Sequence, residues 1–211
     1  MKRMNGTPAK PRGRPRSFDR DVALERAMEV FWQLGFEGAS LHDLTEAMGI
    51  NPPSLYAAFG DKEQLFLQAV KRYEAKHGAA CPYVDAATAR EAVERLLTYT
   101  ADEFSKPSNP RGCLMVMAAT TSSSSSATLQ AALAASRAAS RARLKARIDQ
   151  GVKDGELPRG TDTGALADFY ATILSGMSLQ ARDVTSRKRL LATVASAMRA
   201  WPEPRSGRRN G

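Results

Sequence analysis

Apolar residues recur at three- and four-residue intervals along most of the chain, and no run of strict apolar/polar alternation appears, which predicts an all-α fold of about nine helices. The first helix starts at Ser17 or Asp19 and carries Val22, Ala23, Ala27, Val30, Phe31 and Leu34, with Gly35 placed as its C-terminal stop. Ser40 followed three residues on by Asp43 has the form of a capping box, and predicts a short second helix from Leu41 to Met48. Gly49 can take the left-handed conformation that ends it. Ile50 then supplies an apolar plug, and Asn51 caps a third helix running from Pro52 to about Phe59. Gly60 stops that helix, and Asp61 with Gln64 repeats the capping pattern before a longer helix from Lys62 to about His77.

Beyond a break at Gly78–Asp85, which contains Pro82, the helical pattern resumes from Ala86 to Phe104 with Val93, Leu96, Leu97, Thr100 and Phe104 on one side. An apolar segment from Cys113 to Ala119 follows, then the low-complexity run Ser122–Ser126, read as a loop or a poorly formed junction. Thr128 to Asp154 is Ala-rich and helix-favouring up to Gly155 and Pro158. Asp162 caps a helix bearing Leu166, Phe169, Tyr170, Ile173, Leu174 and Met177, and the last helix presents Leu190, Leu191, Val194, Ala197, Met198 and Trp201. The organisation implied is a flexible arm over residues 1–16, a small domain over 17–77, a larger helical domain over 78–202 and a loose tail over 203–211.

Charge changes the picture mainly through its placement. The formal charge is +9, a sign that favours polyanionic partners without separating DNA from RNA or a membrane surface. Residues 1–16 carry Lys2, Arg3, Lys10, Arg12, Arg14 and Arg16 and no acid, whereas residues 17–60 are net negative. If the small domain binds DNA, local geometry must do it. No stretch reaches the roughly 18 apolar residues of a membrane span and no secretory signal is evident, which places the expected protein in the cytoplasm. Cys81 and Cys113 form no zinc or disulfide pattern. His42 and His77 have no ligand-spaced partners, so neither metal nor cofactor is expected.

Residues 40–59, SLHDLTEAMGINPPSLYAAF, have the layout of a helix-turn-helix, with Leu44, Ala47, Ile50 and Leu55 locking the corner. In such a motif the second helix crosses the DNA backbone, the third presents its N-terminal residues to the major groove, and the amides at both helix starts can meet phosphates. The chain here resembles the TetR family of regulators, in the Tyr-x-x-Phe-x-x-Lys signature Tyr56, Phe59, Lys62, the pair Leu65-Phe66, Ala27 and Phe31, Gly35-Phe36, Gly38 and Ser40. That resemblance covers roughly residues 16–75. It implies that Ser40 and the Leu41 amide contact phosphate, that Asn51, Pro52, Pro53 and Ser54 lie nearest the bases, and that Tyr56 and Lys62 grip the backbone. Prolines at both 52 and 53 remove side-chain donors, pointing to thymine-methyl contact or readout by shape. Taken singly, Tyr56 reads equally as a core aromatic and Lys62 as an ordinary helix lysine, and Phe59 is expected in the core, packed against the first helix.

Arg12-Gly13-Arg14-Pro15-Arg16 resembles an AT-hook core, in which Arg14 and Arg16 would enter a narrow minor groove; the plainer alternative is a solubilising tail. Arg137, Arg141 and Lys145, with Arg143 and Arg147 nearby, read as a solvated helix face. Cys113 reads as a buried inert cysteine, with a thiol sensor as the alternative.

The family resemblance further implies a homodimer through the last two helices, double-stranded and palindromic operator DNA as partner, and a cavity in the larger domain whose filling by a small-molecule effector releases the DNA. Tyr73, Tyr99, Phe104, Met115, Met117 and Phe169 are candidates to line it, with core packing as the alternative for each. No polar cluster in the C-terminal sequence points to a ligand class, so an apolar or aromatic effector is expected. The rivals are an enzyme, for which no catalytic constellation gathers in any motif, an architectural DNA-binding protein, and an activator on the same fold.

Overall fold

Four N-caps and three positive-φ glycines, Gly35, Gly49 and Gly60, shape the described half of the chain that holds the motif. The computed structural model describes residues 18–79, 85–121, 127–183 and 186–203. The basic arm with Arg14 and Arg16, the Ser122–Ser126 run, Pro82 and residues 204–211 lie outside them. Among the described residues there are nine helices and no strand: α1 (Arg20–Gly38), α2 (Leu41–Met48), α3 (Pro52–Phe59), α4 (Lys62–Ala79), α5 (Ala89–Ser105), α6 (Leu114–Thr121), α7 (Ala127–Lys153), α8 (Thr163–Arg182) and α9 (Arg187–Met198).

Asp19 caps α1 by accepting from the Asp21 and Val22 amides. Gly35, at φ 74°, breaks the helical geometry as expected, but one more turn follows to Gly38. The buried arc of α1 is Ala23, Leu24, Ala27, Met28, Phe31 and Trp32. Val22 and Leu34, expected on that face, are exposed. The reason is that α2, α4 and α6 all pack on α1, so the arc is set by three neighbours rather than one. The start of α5 also differs: Thr88 caps it, and the Glu91 carboxylate accepts from the Ala87 amide, so Ala86 and Ala87 lie before the helix.

Two apolar clusters form. The first joins α1–α4 to Leu114, Met115, Ala118, Leu129 and Leu133 of α6 and α7; the second gathers α5, the C-terminal half of α7, α8 and α9 around Tyr170 and Trp201, and Cys113 packs against both. Most of the apolar stripes of α8 and α9 are therefore inside the chain's own core: Tyr170, Met177, Leu190, Val194, Ala197, Met198 and Trp201 are all buried. Phe169 (39% exposed) and Leu179 (54% exposed) are what α8 leaves uncovered.

α1 is fastened on two sides. Toward α4, the Glu25 carboxylate accepts from Arg72 Nε at 2.8 Å and from Lys76 Nζ at 2.5 Å. Toward the rest of the chain, Trp32 Nε1 donates to the Gly112 carbonyl at 2.7 Å, and Arg182 Nη1 of α8 donates to the Gln33 carbonyl at 3.3 Å.

Candidate nucleic-acid interface and effector cavity

The corner between α2 and α3 is built by local chemistry. Ser40 and Asp43 close a reciprocal capping box: the Ser40 Oγ accepts from the Asp43 amide at 3.1 Å, and the Asp43 carboxylate accepts from the Ser40 amide at 2.9 Å. The Ser40 hydroxyl, which donates to the same carboxylate at 2.5 Å, and after it the Ser40 amide hold the Asp43 carboxyl below its usual range. Gly49 sits in the left-handed region at φ 67° and Asn51 Oδ1 accepts from the Ser54 amide at 2.9 Å. Leu44 and Leu55 are fully buried at the corner, while Ile50 and Ala47 are partly covered.

The two helix starts differ in what they offer an anion. At α2, the first two helical amides, those of Leu41 and His42, have no intrahelical acceptor and are not used by the capping box. At α3, Pro52 and Pro53 have no N–H, the Ser54 amide is taken by Asn51, and the Leu55 amide returns to the Asn51 carbonyl. The expectation that both helix starts offer backbone amides to phosphate is corrected at α3, which has none free in its first turn, while α2 leaves two open. What α3 exposes is Asn51, two pyrrolidine rings, Tyr56 and Ala57, with Ser54 half-buried. Tyr56, 48% exposed, is a surface residue and not a core aromatic, whereas Phe59 is buried.

Lys62 is half-buried, its Nζ 4.7 Å from the centroid of the Phe36 ring. Burial lowers its pKa, with Glu37 acting in the opposite direction. The far end of α3 is clamped to α1 by Arg20, whose guanidinium stacks 4.7 Å from the Phe59 centroid and bonds Gln68; Gln68 in turn donates to the Phe59 carbonyl at 3.0 Å.

A second site lies between α4, α5, α6, α7 and α8, where a cavity of about 300 Å³ opens. Tyr73, Tyr99, Phe104 and Met115 line it as expected, and Met117 and Phe169 do not. Met117 is buried away from the cavity, and Phe169 faces outward on α8. The expected lack of polar groups is also corrected. His77, Glu103, Arg137 and Arg147 are in the lining, and the arginine row of α7, read as a solvated face, turns partly inward. Arg141 instead pairs with Asp168, and Lys145 with Asp149 at 2.8 Å. Burial lowers the His77 pKa while Glu103 opposes it, and burial together with the neighbouring Cys113 thiol raises that of Tyr73.

Both histidines acquire a carboxylate neighbour: His42 Nε2 is 3.7 Å from Glu46 and His77 Nδ1 3.9 Å from Glu103. No group of three or more metal-ligating side chains occurs among the described residues, and no described helix is long and apolar enough to cross a membrane.

Comparison with known proteins agrees with this layout. Residues 23–69 match the model of bacterial regulatory proteins of the tetR family, and residues 89–198 match that of the tetracyclin repressor-like C-terminal domain. The HTH-type transcriptional repressor ComR of Escherichia coli (strain K12) is 37% identical over 198 residues, covering 92% of this chain and 94% of its own. The repressor BdcR of the same organism is 30% identical over 188 residues, 88% of this chain and 90% of its own. Among solved structures, a cysteine-substituted form of the regulator CifR in complex with a 26-base-pair double-strand operator superposes with a TM-score of 0.87 at 51% identity, over 90% of this chain and 100% of that one. E. coli NemR in its reduced form shares the fold, with a TM-score of 0.77 at 22% identity over 88% of this chain and 98% of its own.

Proposed function

The chain belongs to the TetR family of bacterial regulators, and from that premise we propose that it is a cytoplasmic transcriptional repressor, a homodimer that holds a palindromic operator until a small molecule enters its cavity. The observation that carries this reading is the exposed corner Ser40–Phe59, with open amides at the start of α2 and an uncovered first turn of α3, in a chain 51% identical to a regulator solved on operator DNA.

In this reading residues 17–77 bind DNA and residues 78–202 bind the effector and the second subunit. Ser40 and the Leu41 amide take a phosphate at the positive end of α2. Asn51, Pro52, Pro53 and Ser54 face the groove, Tyr56 and Lys62 reach the flanking backbone, and Arg14 and Arg16 of the arm enter the neighbouring minor groove. One copy supplies one recognition helix. A second copy docks on the outer face of α8, where Phe169, Gly176 and Leu179 follow one another at helical spacing and a Cβ at Gly176 would meet nothing within 4 Å, so two helices can approach closely. α9 buttresses that face from behind. Filling the cavity between α4 and α8 would alter the separation of the two α3 helices from the half-site spacing of about 34–36 Å. Nothing in this mechanism asks for catalysis.

Selection of binding sites from a random duplex library, followed by competition against unrelated DNA, tests the proposal. Enrichment of a palindrome with about 10³-fold preference is expected. Tight, salt-sensitive binding with no enrichment would replace it with the architectural alternative.

A further inference from the structure

Among the described residues, three buried side-chain nitrogen atoms have no hydrogen-bond partner: Arg137 Nη1, Arg147 Nη1 and His77 Nε2. All three side chains line the same cavity. Unpartnered buried polar atoms are costly, and an arginine donor more so than a neutral group, so three around one space call for an explanation. Arg147 has partial compensation, its Nη2 lying 3.8 Å from Glu156 and donating to the Ala86 carbonyl at 3.4 Å. Arg137 forms no ion pair with any described carboxylate within 4.0 Å.

The charges around the cavity are four arginines, at 137, 141, 143 and 147, against Glu74 and Glu103. Arg141 is held by Asp168, and Glu103 is engaged by Lys106 and by Asn109 Nδ2 at 3.1 Å. Glu74 of α4, like Arg137 and Arg143, forms no ion pair within 4.0 Å among the described residues, so the net uncompensated charge is positive and sits on α7. The remaining wall is mostly apolar, with Val93, Leu96, Phe104, Leu144 and Leu174 among its residues and the hydroxyls of Thr100, Ser140 and Ser175 beside them.

We propose that the effector is an amphipathic organic acid, its carboxylate held by the guanidinium of Arg137 and its apolar body lying against Leu96, Phe104 and Leu174. The planar guanidinium fork matches a carboxylate in two parallel hydrogen bonds, which a lysine could not reproduce. The assignment rests on reading this cavity as the effector site.

The test is calorimetric titration of the full-length protein with two matched pairs of probes, 4-phenylbutyrate against 4-phenylbutyramide and octanoate against octanamide. Each pair keeps shape and apolar body while removing the charge. The carboxylate is expected to bind about tenfold more tightly or better. In Arg137→Met the preference should vanish with the amide's affinity unchanged, and Arg137→Lys should keep only part of it. Ligand-free Arg137→Met should also melt at a higher temperature than the parent, because a buried charge without a partner has been removed. Equal binding of acid and amide, a preference that survives Arg137→Met, or no heat from either pair up to its solubility would overturn the assignment. Site selection by the ligand-free protein does not involve Arg137. A carboxylate preference without an enriched palindrome would therefore leave the pocket assignment standing and remove the repressor reading, and the reverse pattern would do the opposite.

Discussion

The indole N–H of Trp32 donates to the carbonyl of Gly112 at 2.7 Å across 80 residues of sequence. That one bond fixes the middle of α1 to the turn before α6. The turn is in turn fixed to α8, since the Cys113 amide donates to Ser178 Oγ at 2.7 Å and a Cβ on Gly112 would lie 2.7 Å from the Ser178 carbonyl oxygen. A chain of three contacts thus joins the helix that supports the DNA-reading corner to the helix proposed as the dimer face.

Gly112→Ala should be strongly destabilising. Its φ of 81° is unfavourable for any residue with a Cβ, and the space is occupied by backbone that has little room to move. We expect a loss of about 2–4 kcal/mol in urea or guanidinium unfolding. Trp32→Phe keeps an aromatic ring, though a smaller one, but leaves the Gly112 carbonyl unpaired, and should cost about 1–3 kcal/mol. A Gly112→Ala protein as stable as the parent would mean that the turn relaxes freely.

The clamp between α1 and α4 should weaken in acid. Burial raises the Glu25 pKa, but hydrogen bonds and charge from Lys76 and Arg72 outweigh it, so the folded value lies below 4.5. A depressed carboxyl pKa contributes stability that is complete above the unfolded value and fades as pH falls through the folded one. Unfolding midpoints measured from pH 6 downward should therefore fall below about pH 4.5 more steeply in the parent than in Glu25→Gln, which starts lower and changes less.

Much of the DNA-reading corner was legible because caps are local. Ser40 with Asp43, Gly49, Asn51 and Gly60 mark their boundaries by bonds that span three or four residues, and α2 and α3 begin and end where those signals put them. The face of α1 was not legible, since Val22 and Leu34 fit a three-to-four spacing as well as Leu24 and Met28 do, and only the packing of α2, α4 and α6 decides between them. The cavity was least legible. Arg137 and Arg141 sit about one turn apart on the same helix and both line the cavity, yet Arg141 is paired with Asp168 of α8 while Arg137 Nη1 is left without a partner. Sequence spacing holds no trace of that partner.

Removing residues 1–16 should lower operator affinity and flatten its dependence on salt, because each phosphate neutralised by a lysine or arginine contributes about 0.9 to the slope. Electrophoretic mobility or anisotropy titrations at several salt concentrations measure this. An unchanged slope would reduce the arm to a solubilising tail.

Lys62 separates two roles in one experiment. As a backbone contact, Lys62→Gln should weaken binding about equally for all operator variants and reduce the salt slope by about 1. As a residue stacked on Phe36 it would cost only about 0.5–1 kcal/mol of stability. A drop in melting temperature with an intact slope would assign it to packing alone.

The two prolines that open α3 carry a consequence for which bases the protein can tell apart. A pyrrolidine ring cannot distinguish a carbonyl from an amine at a base edge, but it can register a methyl group projecting into the groove. To such a surface, 5-methylcytosine and thymine look alike. With Pro52 and Pro53 facing the groove as proposed, enzymatic cytosine methylation at the half-site positions opposite them would read as a thymine substitution, making occupancy of the operator responsive to the methylation state of the chromosome.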